Sequence, residues 1–187
     1  MRIRRSFTLL LSVFICLLTG GLAGSDEDSS AEPTAGNPDL SFSIEPIKPV
    51  FRVGEGVVFR FRLKNVSSRR LFVSRYMPIG DFVTLQLMGP DGKEVPWSGK
   101  IRSVEYNKDA FLMLNPGQEV STSHTISIHD REGFLINKPG RYTIHAEYDL
   151  GPPEYFANVA PKGSIPEGPF SAPTVHFTIA ASKEDKP

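Results

Sequence analysis

A chain of 187 residues with 21 Lys plus Arg against 21 Asp plus Glu carries no formal net charge, so it offers no field that would gather nucleic acid or anionic lipid. Its single cysteine, Cys16, excludes a disulfide framework. The 16 glycines and 16 prolines punctuate runs of Val, Ile, Phe, Thr and Tyr, the composition of an all-β chain without long helical periods.

Residues 1–23 read as a secretory signal peptide. Arg2, Arg4 and Arg5 precede an apolar run from Phe7 to Leu18, and Gly21-Leu22-Ala23 supplies the small residues at which cleavage after Ala23 is expected. The apolar run falls short of the roughly 20 residues of a permanent anchor. Ile15 and Phe14 before Cys16 are too large for a lipoprotein cleavage site. Losing three arginines leaves 18 basic against 21 acidic residues, a net charge of minus three. Residues 24–38 hold no side chain large enough to anchor a core and read as a disordered spacer. Residues 39–181, about 140 in all, are predicted to form one domain, a size that buries roughly two thirds of the unfolded surface. Residues 182–187 are a charged, flexible tail.

The first strand is Leu40, Phe42 and Ile44 alternating with serines. In the second, Val57, Phe59, Phe61 and Leu63 face inward while Val58, Arg60, Arg62 and Lys64 face outward, because successive side chains point to opposite faces. The outward cations, with Arg69, Arg70 and Arg75 beyond them, form the densest basic region and read as a solvated, charged guard on a sheet edge, with contact to an acidic partner as the alternative. After a turn at Ser67 to Arg69, Leu71 to Tyr76 and Phe82 to Met88 are extended. Gly89-Pro90-Asp91-Gly92 is a tight turn. Val95 to Lys100, around Trp97, and Ala110 to Leu114 follow.

From Leu114 to Tyr148 two alternating patterns are each introduced by Pro-Gly. In the first, Val120, Thr122, His124, Ile126 and Ile128 share one face. Ser121, Ser123, Thr125 and Ser127 share the other, which reads as solvated surface, since one polar strand makes no array for a glycan or ice. In the second, Tyr142, Ile144, Ala146 and Tyr148 point inward and Thr143, His145 and Glu147 outward. Val175, Phe177 and Ile179 repeat the pattern in a last strand spanning Thr174 to Ala180. The prediction is an immunoglobulin-like antiparallel β-sandwich of about seven to nine strands, with Tyr142, Ile144, Phe59 and Phe61 in one inter-sheet core. Each buried phenylalanine contributes about 1.5–3 kcal/mol.

Catalytic chemistry finds no complete constellation. His124 and His129 flank a strand end, and His145 shares a face with Glu147, but a zinc or copper site needs further ligands, with His176 as a candidate. No HExxH, paired CxxC, calcium-loop or GxSxG pattern occurs. Asp130, Glu132 and Glu154 are loop carboxylates whose separation the sequence does not set. No catalytic residue, metal or cofactor is assigned. Asn65-Val66-Ser67 would accept a glycan in a eukaryotic secretory pathway.

Asp149 to Ala172 is far longer than a typical connection of about four to six residues. Pro152, Pro153, Pro161, Pro166, Pro169 and Pro173 stiffen or flank it. Tyr155, Phe156, Lys162, Ile165 and Phe170 are the candidate partner-binding residues, either packed back onto the sandwich or exposed to a partner.

Five segments together resemble the non-catalytic immunoglobulin-like domain of secreted deuterolysin-like zinc peptidases. They are Val57 to Asn65, Arg75-Tyr76-Met77-Pro78, Asp91-Gly92 followed by Val95-Pro96-Trp97-Ser98-Gly99, Leu114-Asn115-Pro116-Gly117-Gln118, and Pro139-Gly140-Arg141-Tyr142-Thr143. Trp97 stands where that family carries tyrosine, and the peptidase motif has no counterpart. The resemblance covers roughly residues 55–148 and implies an accessory sandwich that contacts a secreted or cell-envelope protein, a peptidase among the candidates. Three functions follow from the sequence: a secreted or periplasmic binding module, a protease-inhibitor-like sandwich using residues 149–172, or a metal-binding protein or enzyme if His124, His145, Glu147 or His176 converge.

Overall fold

The computed structural model describes residues 39–98, 108–127 and 132–182, all within the unit Pro33–Pro187. The predicted leader and spacer, nearly all of the tail, and Gly99, Lys100, Ile128, His129 and Asp130 lie outside them.

The described strand segments are β1 (Leu40–Pro46), β2 (Val50–Arg52), β3 (Val58–Asn65), β4 (Leu71–Ser74), β5 (Val83–Met88), β6 (Glu94–Val95) and β7 (Trp97–Ser98), then β8 (Phe111–Leu114), β9 (Glu119–Thr125), β10 (Gly133–Phe134), β11 (Gly140–Tyr148), β12 (Phe170–Ser171) and β13 (Val175–Ala180). The described residues are all-β apart from two short 3-10 turns, consistent with an immunoglobulin-like sandwich, and they break into more and shorter strands than the seven to nine expected. Pro96, which has no N–H to donate, separates β6 from β7 where one extended run was predicted.

One sheet runs β1-β3-β9, the other β2-β13-β11-β5-β6 with β12 also on β11, and β4-β8 and β7-β10 form two-stranded ladders. The ladders are antiparallel except β2 on β13, a parallel pairing that departs from the purely antiparallel expectation. Alternation sets the faces: Phe59, Phe61 and Leu63 are fully buried, as are Tyr142, Ile144 and Tyr148. Phe177 is where the two sheets meet. Its ring lies 5.4 Å from Phe59 of the facing sheet, 5.4 Å from Tyr142 and 6.1 Å from Phe51.

β3 is the central strand of its sheet, flanked by β1 and β9. The outward cations therefore do not guard an edge, as the sequence suggested. Instead Arg60 and Arg62 both reach Glu45 on β1, at 3.0 and 2.8 Å. The Arg62 bond and then Arg60 hold that carboxyl below its ordinary range.

The β5–β6 reversal shows why its residues are Gly-Pro-Asp-Gly. The Gly89 amide donates to the Lys93 carbonyl, the Asp91 carboxylate accepts the Lys93 amide, and Gly92 sits at φ 72°, a conformation open to glycine at little cost. Gly140 opens β11 at φ 141°, and a Cβ there would lie 2.4 Å from the Pro90 side chain. Glycine at this position is what lets β11 begin against the β5–β6 turn.

Candidate functional site

The segment between β11 and β13 is fastened to the domain along its length. Asp149 donates its amide to the Phe82 carbonyl and accepts the Gly151 amide on its carboxylate. Pro153–Phe156 forms one 3-10 turn, which drops the Phe156 ring among Phe111 at 5.4 Å, Phe72 at 6.1 Å and Phe82 at 6.3 Å. Further on, the Phe72 amide of β4 donates to the Ser164 carbonyl at 2.8 Å, and the Ser164 hydroxyl donates to the Pro161 carbonyl. Arg69 donates to the Gly163 carbonyl. Finally Phe170 pairs with Tyr148 in the sheet.

These anchors divide the five residues singled out from the sequence. Phe156, Ile165 and Phe170 are buried and hold the segment to the core. Tyr155 is 76% exposed, with Val159 beside it at 41%, and Lys162 is exposed. An open depression of about 500 Å³ lies alongside, lined by Pro153, Ala157, Ala160, Pro161 and Ile165, with Glu154 and Glu167 also on its wall. Pro161, Lys162 and Gly163 form its border with a second depression of about 310 Å³, whose other walls include Arg69, Arg70 and Met113. Arg69 is held by Asp39, whereas Arg70 and Lys162 form no ion pair among the described residues. Lys162 had a local signal in the proline-framed loop. Arg70 stood in the densest basic region of the sequence, but its place on one depression with Lys162 comes only from the fold of β4 against Ser164.

Among the described residues His124, His145 and His176 do not converge on a metal site. The imidazole Nε2 of His124 bonds the Tyr76 carbonyl at 2.8 Å, with the ring 5.0 Å from Phe61. Desolvation lowers its pKa from the usual value, and the bond to Tyr76 opposes this. His145 and His176 lie on the outer face of the larger sheet, each with Nδ1 at 3.0 Å from a threonine hydroxyl, Thr174 and Thr143 respectively. Glu147 shares that face. Among the described residues no group of three or more His, Cys, Asp or Glu side chains could hold a metal ion, and no helix is long and apolar enough to cross a membrane.

Asn65 has a different task from the one its Asn-Val-Ser context suggests. It is fully buried. Its amide nitrogen donates to the carbonyls of Arg69 and Leu114 at 2.7 and 2.9 Å, and its oxygen accepts the Ser67 amide and hydroxyl. A glycan would take one of that nitrogen's two hydrogens and cannot fit at a fully buried site, so the folded chain offers no acceptor there. The strand-ending asparagine ties β3, the following turn and β8 together.

No family model and no curated protein matches the sequence. Among solved structures, the chain is similar to the CARDB domain of a Pyrococcus furiosus protein in complex with di-metal ions, at 14% identity over 80% of this chain and 100% of that one, with a TM-score of 0.39. It is also similar to β-glucosidase from Listeria innocua, at 11% identity over 76% of this chain with a TM-score of 0.35. The D270A form of that enzyme in complex with laminaribiose gives 10% identity over 75% of this chain, also at 0.35. The alignments take in 16% of the β-glucosidase chain.

Proposed function

We propose that the chain is a secreted or periplasmic, non-catalytic β-sandwich that binds a protein partner through the 149–172 segment. The observation that carries this reading is Tyr155, 76% exposed on a backbone whose next residue is locked among three phenylalanine rings. An aromatic side chain presented by a pinned segment loses little freedom when a partner covers it. The basic, apolar N-terminal sequence, with cleavage expected after Ala23, supports action outside the cytoplasm. The segments resembling the deuterolysin-associated sandwich make a secreted or envelope peptidase the partner class to examine first.

Replacing the whole loop would remove Phe156, Ile165 and Phe170 from the core, so the test must spare them. Affinity capture from the secreted or envelope fraction should be run with the full chain and with a Tyr155→Ser, Val159→Ser, Lys162→Ser variant. We expect a specific captured protein to be lost from the variant while its thermal midpoint stays unchanged. Identical capture by both proteins would refute the assignment.

A further inference from the structure

The proposed contact segment has a polarity that narrows what it can take, and the following inference rests on that reading. Its two depressions meet along Pro161, Lys162 and Gly163 but differ in chemistry. One is floored by proline, alanine and isoleucine side chains. The other is bordered by Arg69, Arg70 and Lys162. Arg69 is already engaged by Asp39 and by the Gly163 carbonyl. Its two bonds fix the rim in place, leaving Arg70 and Lys162, exposed and without an ion pair among the described residues, to meet an incoming charge.

We infer that this groove binds an extended peptide segment in which an acidic residue stands beside an apolar one. The acidic side chain lies over Arg70 and Lys162, and the apolar side chain enters the depression between Pro153, Ala157, Ala160 and Ile165. Glu154 on the wall of that depression repels a second acidic residue there, so the charge pattern restricts where acid can stand along the peptide. Complementary charge of this kind governs orientation and encounter more than raw affinity. It weakens as salt screens it, over a Debye length of about 10 Å at 0.1 M.

A library of random displayed heptapeptides selected on the immobilised full chain tests this directly. The expected consensus places Asp or Glu within two positions of Leu, Ile or Phe. Binding of a selected peptide should weaken about ten-fold or more in the Arg70→Glu, Lys162→Glu variant, and should weaken in the parent as salt is raised from about 50 to about 500 mM. Both cations are exposed, so the variant should keep the parent's unfolding midpoint. An acid-free consensus, an empty selection, or unchanged affinity in the charge-reversed variant overturns the inference. If Tyr155→Ser abolishes binding of a selected peptide while charge reversal does not, the loop remains the contact surface and only its preference for acid is lost. If neither substitution matters, both readings fall.

Discussion

Phe177 and Phe156 each lie against three aromatic rings, but the two clusters are built in different ways. Around Phe177 the partners come from strands of both sheets, and for Phe59 and Tyr142 alternation fixes that they face inward. Around Phe156 one partner is on β4, one on β8 and one just before β5, and the cluster closes only when a 3-10 turn in the long segment returns to cover it. The first cluster is the sandwich itself. The second is a lock that shapes the surface beside it. Buried rings can therefore serve fold stability in one place and surface preorganisation in another.

The comparison predicts unequal consequences when each ring is removed. Phe177→Ala should cost about 3–5 kcal/mol, the usual range for emptying an aromatic site in a core, and should lower the midpoint for the whole domain in urea unfolding. Phe156→Ala should cost less, about 2–3 kcal/mol, because the covering segment can settle into part of the space. Amide exchange should accelerate over residues 150–166 well before β3 or β11. Uniform acceleration in both variants would mean that the two clusters are one cooperative unit.

The strand-built half was readable from the sequence because its information is local. Val57 to Lys64 and Arg141 to Tyr148 state their own faces by period two, and the predicted core of Phe59, Phe61, Tyr142 and Ile144 is buried. β2 escaped because three residues with one buried side chain, Phe51, show no period, and its parallel partner β13 is more than a hundred residues away. The candidate surface was half readable. Proline density marked the segment, but which aromatics turned in depended on the β4–β8 ladder. The approach of Arg70 to Lys162 has no local signature. Asn65 misled for a related reason: the pattern Asn-Val-Ser is chemistry for an exposed turn, while its burial is set by Leu114, 49 residues on.

That asparagine gives the next effect in size. Asn65→Ala removes the amide donor shared by the Arg69 and Leu114 carbonyls, leaving the Arg69 carbonyl only the Ser67 hydroxyl at 3.2 Å, and should cost about 2–3 kcal/mol, since a buried polar group stripped of its partner loses roughly 1–3 kcal/mol. Because Arg69 borders the cationic depression, the substitution should also weaken acidic-peptide binding. An unfolding midpoint equal to the parent's would show that the tie is unimportant.

The smallest expected effect is on pH dependence and belongs to the strand-built half. Burial lowers the His124 pKa in the folded chain below the ordinary value of about 6.5. As pH falls through that value the unfolded chain takes up the proton first, so stability is full above it and declines as pH drops toward the folded pKa. Urea midpoints at about pH 7.5 and 5.5, a window above most carboxylate titration, should differ in the parent and differ less in His124→Gln. Equal slopes in the two proteins would remove His124 as the cause.

The most direct test of whether the sandwich is scaffold and the fastened segment is the contact surface is photo-crosslinking in the producing cell. A photoreactive phenylalanine analogue would be placed at position 155 on the segment or at position 123 on the exposed hydroxyl face of β9. The account predicts a discrete covalent adduct from position 155 and none from 123. An adduct from 123 alone, or from neither, would contradict it.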